Sequence, residues 1–142
     1  MSPEHTAGLL ERVVVGAVGL TARALTQATP DVELTFPQWR ALLILGEAED
    51  GARISTVADR VGVTLPATGR LLRRLEARGL VKLAVDETDR RATRARLTQR
   101  GGQVRADILG FRREVLLEVA GRLGGDADAA LERTAEALRE FA

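Results

Sequence analysis

From about His5 to Ala28, apolar residues recur at three- and four-residue steps through Leu9, Leu10, Val13, Val14, Ala17, Val18, Leu20, Ala24 and Leu25. This spacing predicts a long helix with a wide apolar face, mostly buried, that ends at Pro30 and Asp31. Gly16 and Gly19 lie one turn apart inside it. Each costs a helix roughly 1 kcal/mol relative to alanine, so close approach of another helix, or of a ligand, is the expected compensation. Thr35 is placed to cap a second helix, with Pro37 in its first turn, Gln38 at the reciprocal capping position, and Trp39, Leu42, Leu43 and Leu45 facing inward.

The pattern then shortens. Ser55 is expected to cap a brief helix with Val57, Ala58 and Val61 inside, and Gly62 to permit a tight turn into a helix capped by Thr64. That helix has Leu71, Leu72 and Leu75 for the core and Arg70, Arg73, Arg74 and Arg78 on or beside its outer face. Gly79 ends it in the left-handed conformation. Residues 80–85 and 92–97 have strand character and flank a polar stretch, 86–91, that predicts a hairpin with a charged tip.

Helix, turn, helix and hairpin together make a winged helix. Thr98 opens another long helical pattern through Val104, Ile108, Phe111, Val115, Leu116 and Val119, ending near Gly124 and Gly125. Asp126 begins a last helix with Leu131, Ala135, Leu138 and Phe141 on one face. The fold class is therefore mainly α with a small β-hairpin wing: a winged helix-turn-helix at 35–98, flanked by helices at 1–34 and 99–142. The flanking helices carry more apolar surface than the small middle can cover, so they are expected to interlock with a second copy.

Charge sharpens this picture. Residues 53–105 hold 13 Arg or Lys against 5 Asp or Glu, a net +8, while the rest holds 8 against 15, a net −7. A basic reader inside an acidic frame is the electrostatic footprint of nucleic-acid binding, and the overall charge of +1 hides it. The only lysine is Lys82, so basic contacts come almost wholly from arginine, whose forked guanidinium suits phosphate and guanine, although codon bias gives the same composition.

At 142 residues there is room for one compact domain or a small reader with helical extensions, and none for a second enzyme domain. Absent cysteine excludes disulfides, thiolate metal sites and sensing by thiol oxidation, and His5 as the only histidine leaves no zinc set. No cofactor is expected. No nucleophile with its base and no phosphate-cradling loop is spaced for catalysis. Asp126-Ala-Asp128 is a fragment of a calcium loop without the remaining oxygen ligands, and it reads better as a helix start. No apolar run reaches bilayer length and no cationic leader precedes one, so a cytoplasmic location is expected.

Three segments carry a resemblance: Val57-Ala-Asp-Arg-Val-Gly-Val-Thr64, Arg70-Leu-Leu-Arg-Arg-Leu-Glu-Ala-Arg-Gly-Leu-Val81 and Asp89-Arg-Arg-Ala-Thr-Arg-Ala-Arg-Leu-Thr98. They resemble the MarR family (multiple antibiotic resistance regulator), whose wing signature is matched by Asp89, Arg91, Leu97 and Thr98. The resemblance implies a homodimer made by the terminal helices, with each winged helix on half of a near-palindromic double-stranded DNA site. It further implies a repressor released by a small, often aromatic or phenolic, ligand bound between the dimer helices and the reader. This chain departs from the family at Leu65, Ala67 and Gly69, which replace hydrogen-bonding side chains of the recognition helix. It also has Leu83 where the family often has arginine, which shifts the weight onto Arg90 and Arg91.

In a recognition helix the residues near the N-terminus face base edges, so Thr64, Leu65, Ala67 and Thr68 are candidates for base and thymine-methyl contacts. Arg70 is placed to grip guanine or phosphate, or to pair locally with Glu76. Arg73 and Arg74 are candidate phosphate contacts or plain surface. Arg90 and Arg91 at the wing tip suit the electronegative minor groove, and Asp89 is expected to restrain one of them by a forked ion pair. Trp39, Phe36, Phe111 and Arg23 are candidates for an effector site on the resemblance, though aromatics at helical spacing are more often core. The rival reading is a winged helix that serves as a protein-interaction module or as an architectural binder of DNA without sequence preference or effector. Retention of basic residues on the recognition face and wing favours specific DNA binding.

Overall fold

A computed structural model describes residues 1–142. Helix α1 spans Pro3–Gln27, with Ser2 capping it and accepting from the His5 amide at 3.3 Å. Helix α2 spans Phe36–Leu45 and opens on a reciprocal capping box, the Thr35 hydroxyl accepting from the Gln38 amide at 3.3 Å while the Thr35 amide donates to Gln38 Oε1 at 3.0 Å. A two-residue strand β1, Ala52–Arg53, leads into helix α3, Ile54–Val61. Gly62 turns the chain at φ 80°, a left-handed conformation that a side chain disfavours, and helix α4 follows at Leu65–Ala77 under the cap of Thr64. Gly79, at φ 74°, releases α4 into strand β2, Val81–Val85, which pairs antiparallel with β3, Thr93–Leu97.

Thr98 joins wing to helix: its hydroxyl donates to the Gly79 carbonyl at 2.6 Å and accepts from the Gly101 amide at 3.0 Å, capping helix α5, Gln99–Leu123. A short 3-10 turn, Gly125–Ala127, precedes helix α6, Asp128–Arg139. The molecule is thus mainly helical with a small antiparallel sheet.

Two expectations need correction here. Ser55 does not cap α3: the cap position is Arg53, which makes no side-chain capping bond, because α3 starts directly out of β1. The wing is a three-stranded sheet in the order β1-β3-β2, with Ala52 opposite Ala95 and Arg53 opposite Arg94. A two-residue strand is too short to show an alternating pattern in sequence.

The chain divides into two compact units, Met1–Arg112 and Arg113–Ala142, with α5 running through the division. The first unit holds the core: Trp39, Leu42 and Leu45 of α2, Val57 of α3, Leu72 and Leu75 of α4, Leu80, Val81, and Ile108 of α5 are all 2% exposed or less. In the same unit α1 buries only Thr21, Ala24 and Leu25. Its expected buried face is open in the single chain, since Leu9, Val13, Val14 and Val18 find nothing to cover them. The second unit has no buried residue, and Leu116, Leu117, Val119, Leu123, Leu131, Leu138 and Phe141 are exposed. No helix is long and apolar enough to cross a membrane.

Candidate nucleic-acid interface

Helix α4 has two faces, set by its own sequence. Thr68, Leu72 and Leu75 fall at steps of four and three and point into the core at 0% exposure. Arg70, Arg73 and Arg74 occupy exposed positions of the same helix. None of the three enters an ion pair. Glu76, the expected local partner of Arg70, instead accepts from the Leu83 amide at 2.8 Å and ties α4 to β2.

Thr68 corrects the expected base-contact set. It is fully buried, and its hydroxyl donates to the Thr64 carbonyl at 2.9 Å, so it offers no surface to a groove. The signal was present in the sequence, since Thr68 sits on the stripe of Leu72 and Leu75. Thr64 is exposed but its hydroxyl oxygen accepts from the Ala67 amide at 3.3 Å. Leu65 is 54% exposed and Ala67 half-buried.

The wing is held by a residue that sequence reasoning missed. Asp86 directly follows β2, is 2% exposed, and accepts on both carboxylate oxygens. Oδ1 takes the Thr88 hydroxyl at 2.7 Å and the amides of Thr88 and Asp89 at 2.9 and 3.0 Å. Oδ2 takes Nε of Arg53 and Nε of Arg94, each at 3.1 Å. The Thr88 hydroxyl, the Arg53 guanidinium and the two loop amides together hold the Asp86 carboxyl well below the usual carboxylate range. Arg94 also reaches the carbonyls of Asp50 and Gly51 at 3.4 and 3.3 Å. One carboxylate therefore fixes the start of the wing loop to the entry of α3 and to β3. The sequence trace of this hub is an aspartate at a strand end with Thr two residues on, the pattern of an Asx turn.

Asp89 does not make the expected forked pair. Its carboxylate accepts from the Arg91 amide at 3.0 Å and shapes the turn, leaving the Arg91 side chain outside any ion pair. Arg90 and Arg91 are both exposed at the tip. Between α4 and the wing lies a cleft of about 510 Å³ whose lining includes Ile54, Leu65, Pro66 and Gly69, with Arg73 and Arg91 contributed by helix and wing. The geometry brings these two arginines to one concavity with apolar walls.

The four residues expected around an effector have different environments. Trp39 is 1% exposed and belongs to the core, Phe36 and Arg23 are exposed, and Phe111 is half-buried. The cation that faces Trp39 is Arg112, whose guanidinium lies 5.6 Å from the ring centroid and donates to the Thr21 hydroxyl at 3.2 Å. Its buried Nε has no hydrogen-bond partner, and burial pulls its pKa down. Arg105 likewise has a buried, unpartnered Nε and packs against Gly46, where a Cβ would collide with it.

The MarR family model matches residues 33–92, from just before α2 to the far side of the wing loop. The HTH-type transcriptional regulator TtmR of Methylorubrum extorquens (strain PA1) is 35% identical over 88 residues, 62% of this chain and 45% of that protein. The chain thus matches less than half the length of this curated relative. Among solved structures, RV1404 from Mycobacterium tuberculosis is 27% identical with a TM-score of 0.79 over 99% of this chain and 94% of its own. FabT of Streptococcus pneumoniae, solved in complex with DNA, has a TM-score of 0.81 over 99% and 96% of the two chains at 18% identity, a likeness of fold.

Proposed function

We propose that this chain, a MarR-family winged-helix protein, is a dimeric, sequence-specific DNA-binding regulator of transcription that represses and is released by a small aromatic or phenolic ligand. The observation that carries the DNA reading is the pair Arg73 and Arg91, brought from recognition helix and wing to one cleft with no acidic partner. Unpaired guanidiniums in a concave site call for a polyanion, and the dimensions of helix and hairpin suit a major groove beside a minor groove. Arg70 and Arg74 on the helix and Arg90 on the wing add exposed positive charge to the same elements.

The dimer is supported by apolar surface left open on residues 1–20 and 113–142, which keeps 1–34 and 99–142 as the proposed dimerisation segments. The ligand is supported by Arg112, a partly desolvated cation above Trp39 whose buried Nε has no partner, where an anionic group on an aromatic effector would complete the hydrogen bonding.

The test is polarisation of labelled intergenic DNA flanking the gene, titrated with purified protein at near-physiological salt against excess random duplex. Saturation at two protomers per site, resistant to competitor, is the expected result. Affinity should also fall steeply with salt, with a log–log slope of about −0.9 per phosphate contacted. Equal binding to the random duplex would favour the architectural reading, and a flat salt response would end the electrostatic argument. Arg91→Ala should weaken binding by roughly 1–3 kcal/mol.

A further inference from the structure

We propose that the N-terminal turns of α4 read their half-site through thymine methyl groups rather than through hydrogen bonds, with Leu65 as the residue that sets the preference. The proposal rests on the DNA-binding reading above and names what that interface recognises.

In a helix that enters the major groove end-on, the first residues face the base edges. Here the side chains of that stretch leave few hydrogen-bonding groups for a base edge, the Thr64 hydroxyl keeping only its proton to donate while it caps the helix. The Thr64 hydroxyl oxygen is taken by the Ala67 amide, and Thr68 is buried with its hydroxyl given to the Thr64 carbonyl. Pro66 has no amide hydrogen, and Ala67 and Gly69 bring no polar atom in their side chains. Beside the exposed cap Thr64 and Pro66, the large apolar side chain turned outward is Leu65, 54% exposed at the first position of the helix.

Leu65 is not an isolated apolar residue. It lines one cleft with Ile54, Pro66 and Gly69, so the apolar surface continues from the helix start toward the wing. The cleft also holds Arg73 and Arg91, which argues for a polyanion as its occupant and against an apolar peptide. Gly69 contributes by what it lacks: a Cβ there would come within 3.2 Å of Arg73 Nη2, so the arginine lies across the helix surface that a side chain would fill. A polyanion that presents apolar groups to such a surface is duplex DNA with thymines in the major groove, where the C5 methyl is the one apolar group on any base edge. Arginine supplies the phosphate contacts and leucine the base discrimination.

The experiment starts with selection of binding sites from a randomised duplex pool by the full chain. The recovered site is then synthesised with uracil in place of each thymine that faces α4, which removes only the methyl and leaves the pairing and the O4 acceptor intact. Each replacement should weaken binding about fourfold, the worth of one buried methyl-sized group. Uracil at positions away from α4 should leave affinity within about twofold, since those methyls have no apolar partner. In Leu65→Ala the thymine-to-uracil ratio should fall toward one while the salt dependence is unchanged. Uracil sites bound as tightly as thymine sites would overturn the methyl readout and leave the DNA-binding function standing. Full thymine preference retained in Leu65→Ala would overturn the assignment to Leu65. A pool that yields no enriched sequence would take down the function itself, and the proposal with it.

Discussion

Helix α4 and the first two-thirds of helix α1 are both amphipathic, and the same chain treats them oppositely. In α4 the inward stripe of Thr68, Leu72 and Leu75 is at 0% exposure, packed under α2, α3 and β2. In α1 the residues Val13, Val14 and Val18 are 62%, 43% and 50% exposed. A periodic pattern states that a face will be covered and does not state by what. For α4 the cover is encoded within about 40 residues of sequence. For α1 within its own unit, and for residues 113–142 taken by themselves, the apolar face stays open, and under the dimer proposed above a second copy covers it. The winged helix proposed to read DNA and the segments proposed to pair should therefore respond differently to substitution.

The largest effect should come from charging the open faces. Val14→Glu combined with Leu117→Glu touches nothing in the core, yet it should turn the proposed dimer into a monomer in sedimentation experiments. Loss of the second half-site contact then weakens operator binding by about 10²- to 10⁴-fold, the usual gain from bivalency. A monomeric variant that still binds its operator like the wild type would show that the two halves do not act together.

The converse substitution is inside the reader. Leu72→Ala removes a fully buried side chain and should cost roughly 2–5 kcal/mol of folding stability in a denaturant titration. Against the first variant it sharpens the contrast: one loses association and keeps its fold, the other loses fold stability at every protein concentration. A concentration-dependent midpoint in Leu72→Ala beyond that of the wild type would mean that the reader leans on the partner after all.

A smaller effect belongs to the wing. Asp86→Asn keeps the shape but discards the charge that holds Arg53 and Arg94, so the wing arginines lose their fixed presentation and operator affinity should fall several-fold while the helical content stays. The folded state lowers the Asp86 pKa, so its contribution is fully present above the unfolded carboxylate value of about 4 and is lost as pH falls through the lowered one. The stability difference between wild type and Asp86→Asn should therefore be constant around neutral pH and shrink only in strong acid. A difference that vanishes near pH 6 would place the titrating group elsewhere.

How much of this was legible in the sequence follows from the range of each interaction. The helix-turn-helix, the wing strands and the caps at Thr35, Thr64 and Gly79 are local, set by residues three or four apart, and the structure has them where the pattern places them. The Asp86 hub was hidden because Arg53, one of its two arginine partners, lies 33 residues away on a two-residue strand whose pairing with β3 no local pattern reveals. Arg112 was hidden for the same reason, since Thr21 is 91 residues away. Nearness to the helix N-terminus points Thr68 to the bases, but its register, four residues before Leu72, turns it inward.

The smallest effect tests the comparison most directly. A Cβ at Gly16 meets nothing within 4 Å in the single chain, so Gly16→Ala should help the isolated helix by roughly 1 kcal/mol. If a second copy packs closely at this turn, the added methyl obstructs the approach and the gain reverses on association. The expected result is therefore two effects of opposite sign in one variant: more helix in dilute, dissociated protein, and a higher dissociation constant for the dimer. Greater helicity with unchanged self-association would remove Gly16 from the interface and place the contact on another face of α1.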